Sequence, residues 1–384
     1  MWSVIAGLHF LISLAIASNT IIPSLTGPLN VGTTVLEVID YTRQDPWTPK
    51  TQPRDLAISL FYPTNETYPS NSPFMREHEC RPAVQFPPVV ASYLENGSGA
   101  PNGSLHNIIT RACLDAPLAD PSTPLLLFTP GLGLSRLCYS DTLIEIASYG
   151  WLIVSVDHPY ETAIVEYPDG RIVYGLPLNS SNATIANDVD IRTSDLISVL
   201  NALSNSTITD KIPHFNGQGP PKQKLNTERV GIFGHSLGGA TALSVTSNDT
   251  RFVVGANLDG SYWGSEKQKG TAAPFMTLTS EGHNRTGDQT WADTWPNLRG
   301  FRREYTVSGA KHMDFSDLPV IIEVWPYGIP PKSEQSLGTI NGTRIMEIQR
   351  AYLTSLFQRF LKGDNNGLLD GVGMEGWPEV TVGE

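Results

Sequence analysis

Residues 228–241 read E-R-V-G-I-F-G-H-S-L-G-G-A-T and place one serine where chemistry is possible. Val230, Ile232 and Phe233 form a short apolar run with strand propensity, and Gly239-Ala240-Thr241-Ala242-Leu243 opens a segment of small residues and helix formers. Between them lies Gly234-His235-Ser236-Leu237-Gly238. A strand, a sharp turn and a helix with serine at the apex strain the serine backbone and expose its hydroxyl above the sheet. Glycine two residues to either side lets strand and helix approach. Alone, G-x-S-x-G arises by chance in roughly one sequence in four of this composition. The flanking strand and helix signals make Ser236 a candidate nucleophile rather than a serine of an ordinary glycine-rich turn.

A serine hydroxyl attacks poorly unless a base takes its proton and a third group orients that base. After a nucleophile on such a turn, an acid and then a histidine are expected further along the chain. Only His283 and His312 lie downstream of Ser236. His312 follows a strand at 305–308 through Gly309-Ala310-Lys311 and is the favoured base. His283 sits in Ser280-Glu281-Gly282-His283-Asn284, where the sequon at Asn284 suggests an exposed loop. For the acid, Asp259 ends the strand after the nucleophile helix and Glu281 ends the next one. Asp259 is favoured as a short carboxylate held between strand end and glycine, and Glu281 stays open. An oxyanion needs two fixed N–H donors. The amide of Leu237 is one, and that of Leu132 in Thr129-Pro130-Gly131-Leu132-Gly133-Leu134 is the other. His158 precedes the serine and reads as a structural or pocket-rim residue, His235 as the variable position before it. Trp263, Trp291 and Trp295 read as core residues before they read as pocket walls.

The elements that must position these groups come from the remaining patterning. The chain has 384 residues, 40% hydrophobic and 17% charged, enough for one large α/β domain or at most two. Residues 33–41 and 56–62 read as strands, and 63–122 as an irregular insert with short helices at 88–95 and 108–113. That insert is either a lid or a surface excursion stapled by a Cys80–Cys113 disulfide. From Leu125 strands alternate with helices: strands at 125–128 and 151–156, a helix at 139–149, a hairpin at 163–174 and a long helix at 183–203. Within that helix Arg192 and Asp195, at i and i+3, are expected to pair. Strands at 252–258, 275–279 and 305–308 and a helix at 344–361 follow, then a loosely held acidic tail at 363–384. Such alternation implies a mostly parallel sheet covered on both faces, with the site at the strand carboxyl ends.

Residues 1–17 carry an apolar run ending in Ala15-Ile16-Ala17, a signal peptide with an A-x-A cleavage site. Nine sequons, at Asn65, Asn96, Asn102, Asn179, Asn182, Asn205, Asn248, Asn284 and Asn341, agree with secretion and glycosylation. Composition predicts about three or four by chance. The net charge of −12 argues against nucleic acid or anionic membranes as partners and leaves neutral or zwitterionic substrates, with at most weak contact to a lipid surface. Of three cysteines, Cys80 and Cys113 are expected to pair and Cys138 to sit free in a helix. No C-x-x-C or His/Cys cluster suggests a metal.

The run Phe128-Thr129-Pro130-Gly131-Leu132-Gly133, the segment 151–158, Gly234-His235-Ser236-Leu237-Gly238-Gly239, Asn257-Leu258-Asp259-Gly260, Thr279-Ser280-Glu281 and His312-Met313-Asp314-Phe315 resemble the plasma-type platelet-activating factor acetylhydrolases. The likeness covers most of residues 30–362, the 63–122 insert and the tail excepted. It implies an α/β-hydrolase fold, a single domain over 18–362, no cofactor, Asp259 and His312 as acid and base, and cleavage of short or oxidised acyl groups from the sn-2 position of phospholipids. Pro130 stands where the family often has histidine. The hole's donor is a backbone amide, so the hole is expected to survive that change. Two other readings remain: a carboxylesterase or acyltransferase on secondary-metabolite or polyester esters, and an inactive binding protein on the same scaffold.

Overall fold

The computed structural model describes residues 19–48, 50–69, 79–177, 181–215, 224–330 and 332–383. The expected signal peptide and the sequon at Asn179 lie outside the described residues. The chain begins with β1 (Thr20–Ile21), β2 (Asn30–Gln44), β3 (Pro53–Thr64), β4 (Pro82–Val84), α1 (Pro88–Ser98) and β5 (Ile108–Leu114). Next come β6 (Leu125–Thr129), α2 (Ser140–Ala147), β7 (Leu152–Val156) and the hairpin β8 (Ile164–Glu166) with β9 (Ile172–Tyr174). Then follow α3 (Asn182–Leu203), α4 (Ser206–Thr209), β10 (Val230–His235), α5 (Leu237–Asn248) and β11 (Phe252–Leu258). The last elements are α6 (Glu266–Lys269), β12 (Phe275–Ser280), α7 (Gln289–Thr294), β13 (Arg302–Val307), α8 (Leu318–Val324), α9 (Gly342–Phe357) and β14 (Val380–Val382).

Among the described residues twelve strands form one sheet in the order β1-β5-β2-β3-β7-β6-β10-β11-β12-β13-β14, with β4 beside β5. Neighbours from β7 to β13 run parallel, while β2–β3, β3–β7 and β13–β14 are antiparallel. Every residue of β6, β7 and β10 is buried. Leu196, Val199 and Leu200 of α3 with Ala240 and Leu243 of α5 belong to one hydrophobic cluster. Leu143 and Ile144 of α2 with Ile348, Tyr352 and Leu356 of α9 belong to a second large cluster. Strands covered on both faces need apolar side chains at every position, so they read as unbroken apolar runs. Parallel strands also gather their exit loops at one edge, and Ser236, Asp259 and His312 follow β10, β11 and β13.

Three expectations change. Residues 108–113 are not a helix: they lie in β5, which pairs in parallel with β1 and β2 and antiparallel with β4. Two neighbouring edges offer its backbone partners, and Ile108, Ile109 and Thr110 suit a strand better than a short helix. Part of the 63–122 insert is therefore sheet, and α1 is its helix. The tail is not loose. Leu368 and Leu369 are buried, the Tyr305 hydroxyl donates to the Leu369 carbonyl (2.9 Å), and β14 closes the sheet edge. Arg192 and Asp195 do not pair with each other; their separate partners are described below.

A disulfide joins Cys80 to Cys113 with Cα atoms 5.4 Å apart. Cys138 is free and half-buried, in the short 3-10 helix Arg136–Tyr139. Seven of the eight described sequon asparagines are exposed, and Asn284 is half-buried. Among the described residues no helix is long and apolar enough to cross a membrane.

Candidate active site

Ser236 stands between the end of β10 and the start of α5 with φ 56° and ψ −121°. A side chain rarely adopts that conformation, and it is held here because the turn has no room to relax. A Cβ on Gly238 would overlap the Thr129 carbonyl oxygen, and one on Gly234 would meet the backbone of Gly238. The Ser236 amide donates to the Leu258 carbonyl (2.8 Å), which locks the turn onto β11.

From Ser236 a chain of hydrogen bonds runs inward. His312 Nε2 lies 2.9 Å from Ser236 Oγ, and His312 Nδ1 lies 2.7 Å from Asp259 Oδ2. The imidazole is about half exposed, while Asp259 is 1% exposed. Burial opposes ionisation of Asp259, but the hydrogen bonds from His283, His312 and the Ser280 amide outweigh it. They hold the carboxyl well below the usual range. Asp259 is therefore an anion that can fix the His312 tautomer and stabilise its protonated form.

His283, the other downstream histidine, reaches the same carboxylate. Its Nδ1 lies 2.9 Å from Asp259 Oδ1, and its Nε2 lies 3.1 Å from Asp288 Oδ2. It is not set against Ser236 in the way His312 is. Glu281, the rival acid, is exposed and accepts the Gly309 amide (2.7 Å). Trp291 is buried, stacks on His283 at 4.1 Å and donates to the Gly260 carbonyl (2.7 Å), whereas Trp263 and Trp295 are partly buried against the core.

The loop after β6 is held from several sides. The Gly131 amide donates to the Tyr139 hydroxyl (3.1 Å), the Gly133 amide to Glu161 (2.7 Å) and the Leu134 amide to the Gly131 carbonyl (3.1 Å). Among the described residues no hydrogen-bond acceptor is found for the Leu132 amide between them, or for that of Leu237 in the first turn of α5. Arg192 is fully buried beneath this loop. It donates to the carbonyls of Pro130 (2.6 Å) and Gly131 (3.1 Å) and pairs with Glu161 (2.5 Å). Asp195 pairs instead with Arg54 (2.8 Å), Arg43 (2.6 Å) and His158 (2.9 Å), and His158 in turn meets the Thr129 hydroxyl (2.9 Å). Burial lowers the pKa of His158, which is part of this buried scaffold.

Sequence reasoning missed Tyr139 and gave His235 no role. The Tyr139 hydroxyl lies 2.8 Å from His235 Nδ1, and His235 Nε2 lies 2.9 Å from the His312 carbonyl. Burial and the nearby His312 lower the His235 pKa to about 3, so it is neutral. Its single N–H donates to the His312 carbonyl and Nδ1 accepts from Tyr139. The oxyanion loop and the His312 loop are thereby joined through the residue before the serine. The alternating strand is the only available signal: a residue next to the outward-facing, half-buried Ser236 must face inward.

A mostly parallel sheet covered by helices, with a half-buried serine, a histidine and a buried anion in series where its strands end, is the architecture of an α/β hydrolase. Residues 14–328 match the family described as platelet-activating factor acetylhydrolase, isoform II, and the chain belongs to that family. It is 30% identical to the "Probable 1-alkyl-2-acetylglycerophosphocholine esterase" of Arthroderma benhamiae, over 96% of this chain and 95% of that one. It is 25% identical to the "Platelet-activating factor acetylhydrolase" of Cavia porcellus, over 78% of this chain and 69% of that one. Among solved structures, a ferulic acid esterase from Streptomyces cinnamoneus superposes with a TM-score of 0.77 at 30% identity, covering 95% of this chain and 99% of that one. The chain is an enzyme of the serine-hydrolase kind acting on carboxylic ester bonds.

Proposed function

We propose that this is a secreted, glycosylated serine esterase that removes the short sn-2 acyl group of phospholipids through Ser236, His312 and Asp259. The observation that carries the reading is the continuous contact Ser236 Oγ–His312 Nε2–His312 Nδ1–Asp259 Oδ2, at 2.9 and 2.7 Å. Ser236 Oγ attacks the ester carbonyl as its proton passes to His312 Nε2. The tetrahedral oxyanion is held by the Leu132 and Leu237 amides, each worth roughly 3–4 kcal/mol in such a role. His312 then gives the proton to the leaving alkoxide, and Asp259 stabilises the imidazolium in between. Water, deprotonated by the same histidine, releases the acid from the acyl-enzyme.

The phospholipid substrate is supported by the names of the Arthroderma and Cavia relatives. An apolar cavity of about 200 Å³ between the oxyanion loop (Leu134) and the residue after the base (Met313) fits an apolar chain. The net charge of −12 suits a zwitterionic substrate better than an anionic surface. Export is supported by the apolar amino-terminal run, the exposed sequons and the Cys80–Cys113 disulfide. A second reading, a carboxylesterase on aromatic or other small esters, is favoured by the likeness to the Streptomyces ferulic acid esterase.

The test is hydrolysis of a 2-acetyl ether phospholipid beside a simple acetate ester, by wild type and Ser236→Ala. Loss of both activities in the variant, with the phospholipid preferred by wild type, supports the proposal. Serine-dependent turnover of the simple ester alone keeps the triad and removes the phospholipid assignment.

A further inference from the structure

The acid of the site serves two histidines. Asp259 Oδ2 takes His312; Asp259 Oδ1 takes the Ser280 amide (2.8 Å) and His283 Nδ1 (2.9 Å), and the Ser280 hydroxyl lies within reach of both oxygens (2.9 and 3.0 Å). A catalytic histidine needs one carboxylate oxygen, and the Ser280 donors already serve the other. His283 is therefore more than a filler of hydrogen-bond capacity.

Its surroundings determine its charge. Both ring nitrogens face carboxylates, Asp259 on one side and Asp288 on the other. A neutral imidazole has one N–H and can donate to only one of them, while the imidazolium satisfies both. Burial works against ionisation of Asp288, and hydrogen bonds from His283, the Ser261 hydroxyl and the Thr290 hydroxyl (2.6 Å) and amide (2.8 Å) outweigh it. The remaining neighbours do not reverse this. Trp291 stacks on the ring, and Glu304, the next carboxylate, is paired with Arg285 (2.9 Å). Burial of His283 works against the charge, and the two aspartates outweigh it, raising its pKa to about 9.

We infer that His283 is a positioning residue of this site, a fixed cation on the far oxygen of Asp259 that sets the base strength of His312. The inference rests on the proposed Ser236–His312–Asp259 reading. Asp259 alone would favour protonated His312 and raise the pH at which the base becomes free. A positive charge across the carboxylate offsets that pull. Asp288 keeps the cation charged and, lying beyond it, opposes it only in part. A unit charge held across one carboxylate from another ring, at an effective dielectric of about 20, changes that ring's proton affinity by roughly tenfold or more.

The experiment is the pH profile of kcat/KM on a simple acetate ester for wild type, Ser236→Ala and His283→Gln, which keeps a neutral donor near Asp259. The expected result is an acid limb displaced upward by about one unit in His283→Gln, with the largest deficit below that limb and the smallest on the alkaline plateau. A uniform drop at every pH, with the limb unmoved, would mean that His283 only supports its loop and would overturn the inference. Should Ser236→Ala retain activity, the underlying triad reading fails, a result distinct from an unmoved limb with an inactive Ser236→Ala. If His283→Gln does not fold, imidazole nitrogen chemical shifts of the wild type decide the matter. His283 doubly protonated at neutral pH supports the inference, and a single neutral tautomer contradicts it.

Discussion

Arg192→Lys should damage the oxyanion hole without touching the triad. The guanidinium of Arg192 contacts the Pro130 carbonyl (2.6 Å), the Gly131 carbonyl (3.1 Å) and Glu161 (2.5 Å), while Glu161 itself takes the Gly133 amide (2.7 Å). These contacts orient the peptide planes on both sides of the Leu132 amide. A lysine ammonium is a point charge on a flexible stem. It can neutralise Glu161 but cannot hold both carbonyls in a fixed fork. Each charged hydrogen bond lost contributes about 1.5–3 kcal/mol, enough to let the loop shift. Complete loss of one oxyanion donor costs about 10²–10³ in rate, so a donor that is displaced rather than deleted should lower kcat/KM by about 10- to 100-fold. The assay is hydrolysis of p-nitrophenyl acetate alongside thermal unfolding followed by circular dichroism. A folded Arg192→Lys protein with kcat/KM within about twofold of wild type would refute the claim that this arginine positions the hole.

Three further outcomes follow from other parts of the structure. Asp259→Asn should reduce kcat by about 10⁴ while the protein still folds, because the amide favours the wrong His312 tautomer; steady-state kinetics beside a melting curve checks this. His283 has a raised pKa, so the stability it contributes is fully present below its unfolded value of about 6.5. That contribution is lost as pH rises through about 9. Urea unfolding of wild type should weaken across that window and His283→Gln should weaken less; parallel curves would contradict the assignment. Opening the Cys80–Cys113 bridge, whose cysteines are 33 residues apart, should cost about 2–4 kcal/mol of stability, measured as a lowered urea midpoint of the double Ala variant.

Ser236 was legible in the sequence because its constraint is local: strand, turn and helix lie within fourteen residues, and the glycines mark where atoms crowd. The parallel strands were legible for a similar reason, since burial on both faces demands apolar residues without interruption. His312 and Asp259 were placed by chain order and strand ends, and the structure brings His312 to Ser236 and Asp259 to His312. What stayed hidden depends on register between distant elements. Arg192 and Asp195 sit at helical spacing, yet their partners lie 31 and 141 residues away at Glu161 and Arg54. Sequence spacing treated His283 and His312 as competitors. Only the alignment of β11, β12 and β13 shows one carboxylate reaching both. The insert misled for the opposite reason: Ile108–Leu114 carries too short a pattern to distinguish strand from helix, and the edges it joins are set by residues far away.

The central claim is that Ser236 is the nucleophile of an ester-cleaving site, and covalent labelling tests it most directly. Wild type treated with an organophosphonate should lose ester hydrolysis in step with the uptake of one phosphonyl group. Peptide mass spectrometry should place that group on Ser236, and Ser236→Ala should take up none. Full inactivation with the label on another residue, or stoichiometric labelling of Ser236 with hydrolysis intact, would contradict the account.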